Sequence, residues 1–159
     1  MTTQKRKTPP KDEGGKRGFK NKRGLTEKPG LSREKREELK REIFFTIVLG
    51  NTEKALSLIS DLDIDERLRF DFTPLMLASR ENNLALVRAF IDHGADVNAR
   101  TEDDTTALEL AVRNGYEHLV MILRTAGVEG YDEEMERRLD EAVREKKERG
   151  YTTRKTGSL

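Results

Sequence analysis

Cysteine and tryptophan are both absent from this chain of 159 residues. Without cysteine there is no disulfide, no thiolate metal site and no cysteine nucleophile. That absence is compatible with a reducing compartment. Hydrophobic residues are scarce at 34%, against the ~45–50% of ordinary globular chains. Charged residues reach 38%, against a usual ~25%. Such a chain cannot pack uniformly from end to end. It predicts one modest core flanked by polar tails. Long apolar runs are missing too. The longest, Ile43 to Leu49, is interrupted by Thr46, far short of the ~18 apolar residues of a membrane span. The N-terminus is charged and has no apolar h-region, so no secretory signal is expected.

Charge is abundant but unevenly placed. Residues 1–30 carry ten Lys/Arg and three Asp/Glu, a net +7. Residues 43–130 carry eight and fifteen, a net −7. A basic arm therefore precedes an acidic body. Thr8-Pro9-Pro10, Gly14-Gly15, Gly18, Gly24 and Pro29-Gly30 punctuate the arm, and Phe19 is its one aromatic. This composition predicts a disordered, solvated segment. Its clusters Lys5-Arg6-Lys7 and Lys16 to Arg23 leave two sharper readings open. One is a bipartite import signal with imperfect spacing, the other an arm for nucleic acid or an anionic surface.

Catalytic and metal-binding patterns are missing. Asp61-x-Asp63-x-Asp65 starts like a calcium loop, but Glu66 stands where the turn glycine belongs and Phe72 where the last carboxylate belongs. His93 and His118 are the only histidines, and they lack the spacing of a zinc site. No nucleophile elbow, P-loop or dinucleotide fingerprint occurs. Glu102-Asp103-Asp104 could pass for an acid/base cluster, but catalysis needs positioned groups in a desolvated cleft. The expectation is a non-enzyme without cofactor.

The informative feature is an internal period. Thr73, Leu75, Leu77 and Ala78 recur as Thr106, Leu108, Leu110 and Ala111, always 33 residues on. Leu86-Val87, Phe90 and Gly94 recur as Leu119-Val120, Leu123 and Gly127 at the same offset. A fixed period of this length denotes stacked supersecondary units. Each unit reads as two short helices. Thr73 is a good N-cap and Pro74 a good first helical residue. Asn82, matched by Gly115, suits a left-handed turn. Leu84, Val87, Phe90 and Ile91 then give the second helix its apolar face. Gly94 suits a stop, with His93 against the negative helix end.

Thr73-Pro74-Leu75-Met76-Leu77-Ala78 and Gly94-Ala95-Asp96-Val97-Asn98, together with the period, resemble the ankyrin repeat. Met76 and Glu109 replace the signature histidine, Ala107 replaces the proline, and Asp71 and Asp104 stand at the usual turn glycine. The resemblance implies an all-α helical repeat solenoid with hairpin turns between repeats. Upstream, Ile43, Gly50 and Ile59 fall on Leu75, Asn82 and Ile91 at an offset of 32, while Ile64-Asp65 falls on Val97-Asn98 at 33. This reads as a degenerate first repeat, one residue short, led by a helix from Ser32 to Leu49 with a Leu39, Ile43, Ile47 stripe. Downstream, Met135, Leu139 and Val143 make an apolar stripe on a charged helix. That helix is either the cap of the array or a free helix for a partner, and the cap is favoured. The expected organisation is a basic arm over 1–30, a repeat domain over 31–149 and a disordered tail over 150–159. Within the domain, the divisions are 31–69, 70–102, 103–130 and a capping helix over 131–149.

The resemblance also implies a protein partner held on the concave face of fingers and first helices. By position this selects Val48, Leu49, Arg67, Arg69, Phe70, Phe72, Arg80, Arg100 and Arg113, with Glu81, Glu102, Asp103, Thr105 and Asn114 beside them. Phe70 and Phe72 fall outside the core in this frame, unless they fold back under the short first repeat. The function expected is a non-catalytic interaction module: an adaptor, scaffold or inhibitor. The alternative is a nucleic-acid-associated protein using the arm for phosphate contacts. The chain is expected to be cytoplasmic, with the nucleus as a second address, and a monomer without its partner.

Overall fold

A computed structural model describes residues 31–58, 61 and 63–150. The arm over 1–30, with Phe19 and both basic clusters, lies outside the described residues, as do Ile59 and residues 151–159 of the tail. The described residues form seven α-helices and no strand. These are α1 (Arg33–Val48), α2 (Thr52–Leu58), α3 (Pro74–Arg80), α4 (Leu84–Asp92), α5 (Ala107–Arg113), α6 (Glu117–Thr125) and α7 (Glu133–Glu148).

Side-chain caps start the helices of the first row. Ser32 accepts from the Lys35 N–H, Thr73 from Met76, Thr106 from Glu109 and Asp132 from Met135, at 2.9–3.2 Å. Each bond satisfies one of the orphan donors of a helix start. Pro74 follows its cap at the first helical position. Between the two helices of each unit the chain makes the same left-handed turn. Gly50 has φ 72°, Asn82 54° and Gly115 62°, so the turn repeats at offsets of 32 and 33 even where glycine gives way to asparagine.

Helices α1, α3, α5 and α7 form one row in which each packs on the next, while α2, α4 and α6 pack behind α1, α3 and α5. Leu75, Ala78, Val87, Phe90, Leu108, Ala111, Val120 and Leu123 are all buried in the resulting core, as are Leu39, Ile43 and Ile47 of α1. The stack is also stitched by a repeated polar bond. The Asp96 N–H donates to the Asp65 carboxylate at 2.9 Å, and one repeat later the Glu129 N–H donates to the Asn98 side-chain oxygen at 2.7 Å.

The helix α7 lies against α5, with Leu139 buried and Met135 and Val143 half-buried on the core. Its Arg138 guanidinium makes a bidentate bond to the Glu109 carboxylate. Its backbone also comes very close to the turn at Gly115, where a Cβ would meet the Ala142 carbonyl carbon and Val143 nitrogen at 3.2 Å. α7 is therefore docked on the last repeat.

Candidate functional site

The two inter-repeat fingers are built alike. The Leu68 N–H donates to the Phe72 carbonyl at 2.8 Å, and the Thr101 N–H donates to the Thr105 carbonyl at 3.0 Å. Asp71 and Asp104, the residues at the glycine position, both adopt positive φ, at 59° and 58°. Aspartate tolerates this conformation better than most residues. Asp71 also accepts the Glu102 N–H of the next finger at 3.0 Å. The fingers are thereby fixed to each other as well as to their helices.

The two phenylalanines of the first finger separate. Phe70 is 74% exposed, at φ 61°. Phe72 is half-buried and packs on the core, with the Arg80 guanidinium 5.4 Å from its ring centre. Placing both rings outside the core therefore holds for Phe70 and fails for Phe72. Extended backbone would put residues two apart on the same side, but Phe70 and Asp71 both adopt positive φ, at 61° and 59°, and this break in the chain path separates the rings. Arg80 runs from the end of α3 back toward the finger base, so finger and helix residues share one face. It also pairs with Glu81 at 2.9 Å.

The remaining candidates are in different states. Arg67 is tied to its own finger, donating to the Asp71 carbonyl at 2.9 Å, so it holds the loop in shape. Arg69 is exposed at the finger and sits 5.8 Å from the Phe44 ring of α1. Arg100 is exposed and near Asp104, at 3.9 Å. Val48 and Leu49, at the end of α1, are exposed, Leu49 strongly so at 80%. Arg113, at the end of α5, is exposed and has no polar partner among the described residues.

Three features were not anticipated. Phe45 is 51% exposed on α1, edge-on to Phe44 with ring centres 5.6 Å apart. The end of α7 brings Lys146 and Arg149 beside Arg113 and Tyr116. Met121 is exposed on α6. The repeat frame could have found Phe45, since it aligns with Leu77 and the described residues include no preceding repeat to cover it. It could not have placed Lys146 and Arg149, because α7 departs from the period. Among the described residues no group of three or more His, Cys, Asp or Glu could hold a metal ion, and no helix is long and apolar enough to cross a membrane.

Known proteins share this pattern. Residues 44–133 match the family described as Ankyrin repeats (3 copies). An ankyrin repeat protein of Fowlpox virus (strain NVSL) is 42% identical over 64 residues, covering 40% of this chain and 19% of that protein. The ankyrin repeat, SAM and basic leucine zipper domain-containing protein 1 of Ornithorhynchus anatinus is 39% identical over 91 residues, 54% of this chain and 19% of its own length. Its namesake in Carollia perspicillata is 26% identical over 110 residues, 69% and 23% respectively. The chain thus spans less than a quarter of the length of these relatives. A family match over more than half of the residues, on helix pairs whose left-handed turn recurs at 32 and 33 positions, establishes that the chain belongs to the ankyrin-repeat family.

Proposed function

We propose that this chain is a non-catalytic protein-binding module, acting as an adaptor, scaffold or inhibitor through the concave face of its repeats. Ankyrin repeats are generally protein–protein interaction modules. The observation that carries the reading is Phe70. A bulky side chain in the left-handed region costs about 1–2 kcal/mol, and a phenylalanine 74% exposed gains little from burial in return. Strain of this kind persists where function needs it, and aromatic and arginine side chains are the usual anchors of protein interfaces. Phe70 is flanked by Arg69, while Val48 and Leu49 end α1 and Arg80 ends α3, so a partner spanning the finger and the helix ends would meet apolar and cationic groups together.

The division of labour we propose is a basic arm over 1–30, a repeat domain over 31–149 capped by α7, and a tail over 150–159. The chain works in the cytoplasm, or in the nucleus if the arm directs import. The nucleic-acid alternative rests on the net +7 of residues 1–30 alone, whereas the body they adjoin is net −7 over residues 43–130 and repels phosphate. Capture with the full chain and with Phe70→Ala as bait tests the main reading. A partner retained by the wild type and lost by the variant, with unchanged thermal melting, supports it. Equal recovery refutes it.

A further inference from the structure

The end of α7 creates something that the repeat pattern does not supply. Helices α3 and α5 are each 7 residues long, whereas α7 has 16. It passes the end of α5 at Ala142 and Val143, against Gly115, and its last residues project beyond. The overhang forms the wall of a groove of about 300 Å³ lined by Arg113, Asn114, Tyr116, Glu145, Lys146 and Arg149, with Ala142 at its base.

The charges in that groove are unbalanced. Lys146 is held in place, its ammonium 4.4 Å from the Tyr116 ring centre and donating to the Asn114 carbonyl at 3.3 Å. Arg149 pairs with Glu145 at 3.1 Å, the one carboxylate among the groove's three cations. Arg113 has no polar partner among the described residues. The contrast with the preceding repeat is instructive. Arg80 is neutralised by Glu81 at 2.9 Å. One repeat on, Arg113 is followed by Asn114, and Asn114 donates its amide to the Leu110 carbonyl at 2.7 Å. The same arginine position has lost its counter-ion within a body that is otherwise acidic.

We infer that this groove is a subsite for the carboxylates of an acidic segment in the protein partner. The inference rests on the protein-binding reading above and locates one end of the bound segment. Hydrogen bonds between ionised donors and acceptors are the strong ones, and Lys146 is already fixed in position to make one. A long polyphosphate chain fits less well. The second finger of the same face carries Glu102, Asp103 and Asp104, all exposed, so a ligand that is anionic throughout is repelled there, while a short acidic segment is not.

The test is an NMR titration of the ¹⁵N-labelled full chain with a hexaglutamate peptide at low salt, where screening is weak. Amide shifts are expected at Asn114, Gly115 and residues 145–149. Arg113→Glu should weaken binding by about tenfold or more, the worth of one hydrogen bond to a charged group, and should leave the thermal melt unchanged because Arg113 is exposed. Arg88→Glu, on α4, should have no effect on binding. Shifts confined to residues 1–30, or an Arg113→Glu chain that binds like the wild type, would overturn the inference. So would a phosphoserine hexapeptide binding more than about tenfold tighter than hexaglutamate, because the site would then recognise phosphate. A natural partner lost by Phe70→Ala but kept by Arg113→Glu defeats this inference alone. A partner kept by both defeats the concave-face reading centred on Phe70 as well.

Discussion

Replacing Gly115 with alanine probes how firmly α7 is seated. Gly115 has φ 62° and Gly94 has φ 83°, so alanine at either position incurs the left-handed penalty of about 1–2 kcal/mol. The surroundings differ. A Cβ on Gly94 meets nothing within 4 Å. On Gly115 it would lie 3.2 Å from the Ala142 carbonyl carbon and the Val143 nitrogen and 3.3 Å from the Ala142 oxygen. These are backbone atoms, which cannot swing aside as a side-chain tip can. Helix α7 must shift as a unit, loosening Leu139 and the Arg138–Glu109 pair. Overpacking of this kind adds about 1–3 kcal/mol, giving a total of about 2–5 kcal/mol for Gly115→Ala. In a domain of this size one kcal/mol is worth about 4 °C of melting temperature. Gly94→Ala should therefore lower the melting temperature by about 4–8 °C and Gly115→Ala by about 8–20 °C in far-UV circular dichroism melts of the full chain. Hydrogen exchange should show faster exchange of α7 amides in Gly115→Ala only. Equal losses in the two variants, with α7 protection unchanged, would refute the close seating of α7.

Leu108→Ala empties a site that is 1% exposed, in the first turn of α5, and should cost about 2–5 kcal/mol, a large part of a total stability of about 5–15 kcal/mol; a denaturant melt with an unchanged midpoint would contradict the packing. Phe70→Gly should stabilise the fold by about 1 kcal/mol, since it releases the left-handed strain while removing the proposed anchor; a lower melting temperature would show that the ring packs in the native state. Burial, chiefly, holds the Asp65 carboxyl above its ordinary range, with the charges of Asp96 and Asp63 adding and the Asp96 N–H opposing. A raised folded-state value gives stability that is present below the unfolded value and is lost as pH rises through the folded one, so the charged carboxylate is a burden at pH 7. Asp65→Asn should keep the bond to Asp96, as Asn98 keeps the equivalent bond to Glu129, and raise the melting temperature at pH 7 but not near pH 3. A gain of equal size at both values would refute the charge argument.

Most of the fold was legible because its determinants are local and periodic. Thr73 and Thr106 cap, Asn82 and Gly115 turn, and the leucines between them bury, each at a spacing that a linear sequence displays directly. The candidate site was legible only as positions. That Phe70 falls in an inter-repeat finger and Arg113 at the end of a first helix follows from the period. Whether a given ring faces solvent does not, because Phe70 and Phe72 are two residues apart in the same loop and their opposite fates are set by the φ of 61° at Phe70 and by the contact of Arg80 with Phe72. The overhang of α7 was illegible for a different reason. It has no counterpart in the other repeats, so no offset pointed to Lys146 or Arg149.

The two ends of the array are finished by different means, and this leads to the last prediction. Leu77 and Leu110 are 0% and 1% exposed, on helices that each pack against the first helix of the preceding repeat. Phe45 occupies the same position on α1, where the described residues include no preceding repeat, and it is 51% exposed. At the position of Leu86 and Leu119, both fully buried, the first repeat instead has Lys54, paired with Glu42 at 2.8 Å. Of these two positions in the first repeat, one is polar and the other aromatic. At the opposite end, α7 covers α5 with Leu139 and turns its charged side outward. If the α1 face is open, Phe45→Lys removes little more than the edge-on contact with Phe44. Aromatic pairs of this kind are worth about 0.5–1.5 kcal/mol beyond area burial, and the lysine stem keeps covering the apolar surface under the half-exposed ring, so the loss should not exceed about 1.5 kcal/mol. Leu110→Ala, at the equivalent but covered position, should cost about 2–5 kcal/mol. Denaturant melts of the two variants compare these losses directly. A Phe45→Lys penalty as large as that of Leu110→Ala would show that the α1 face is covered in solution and would refute the open end.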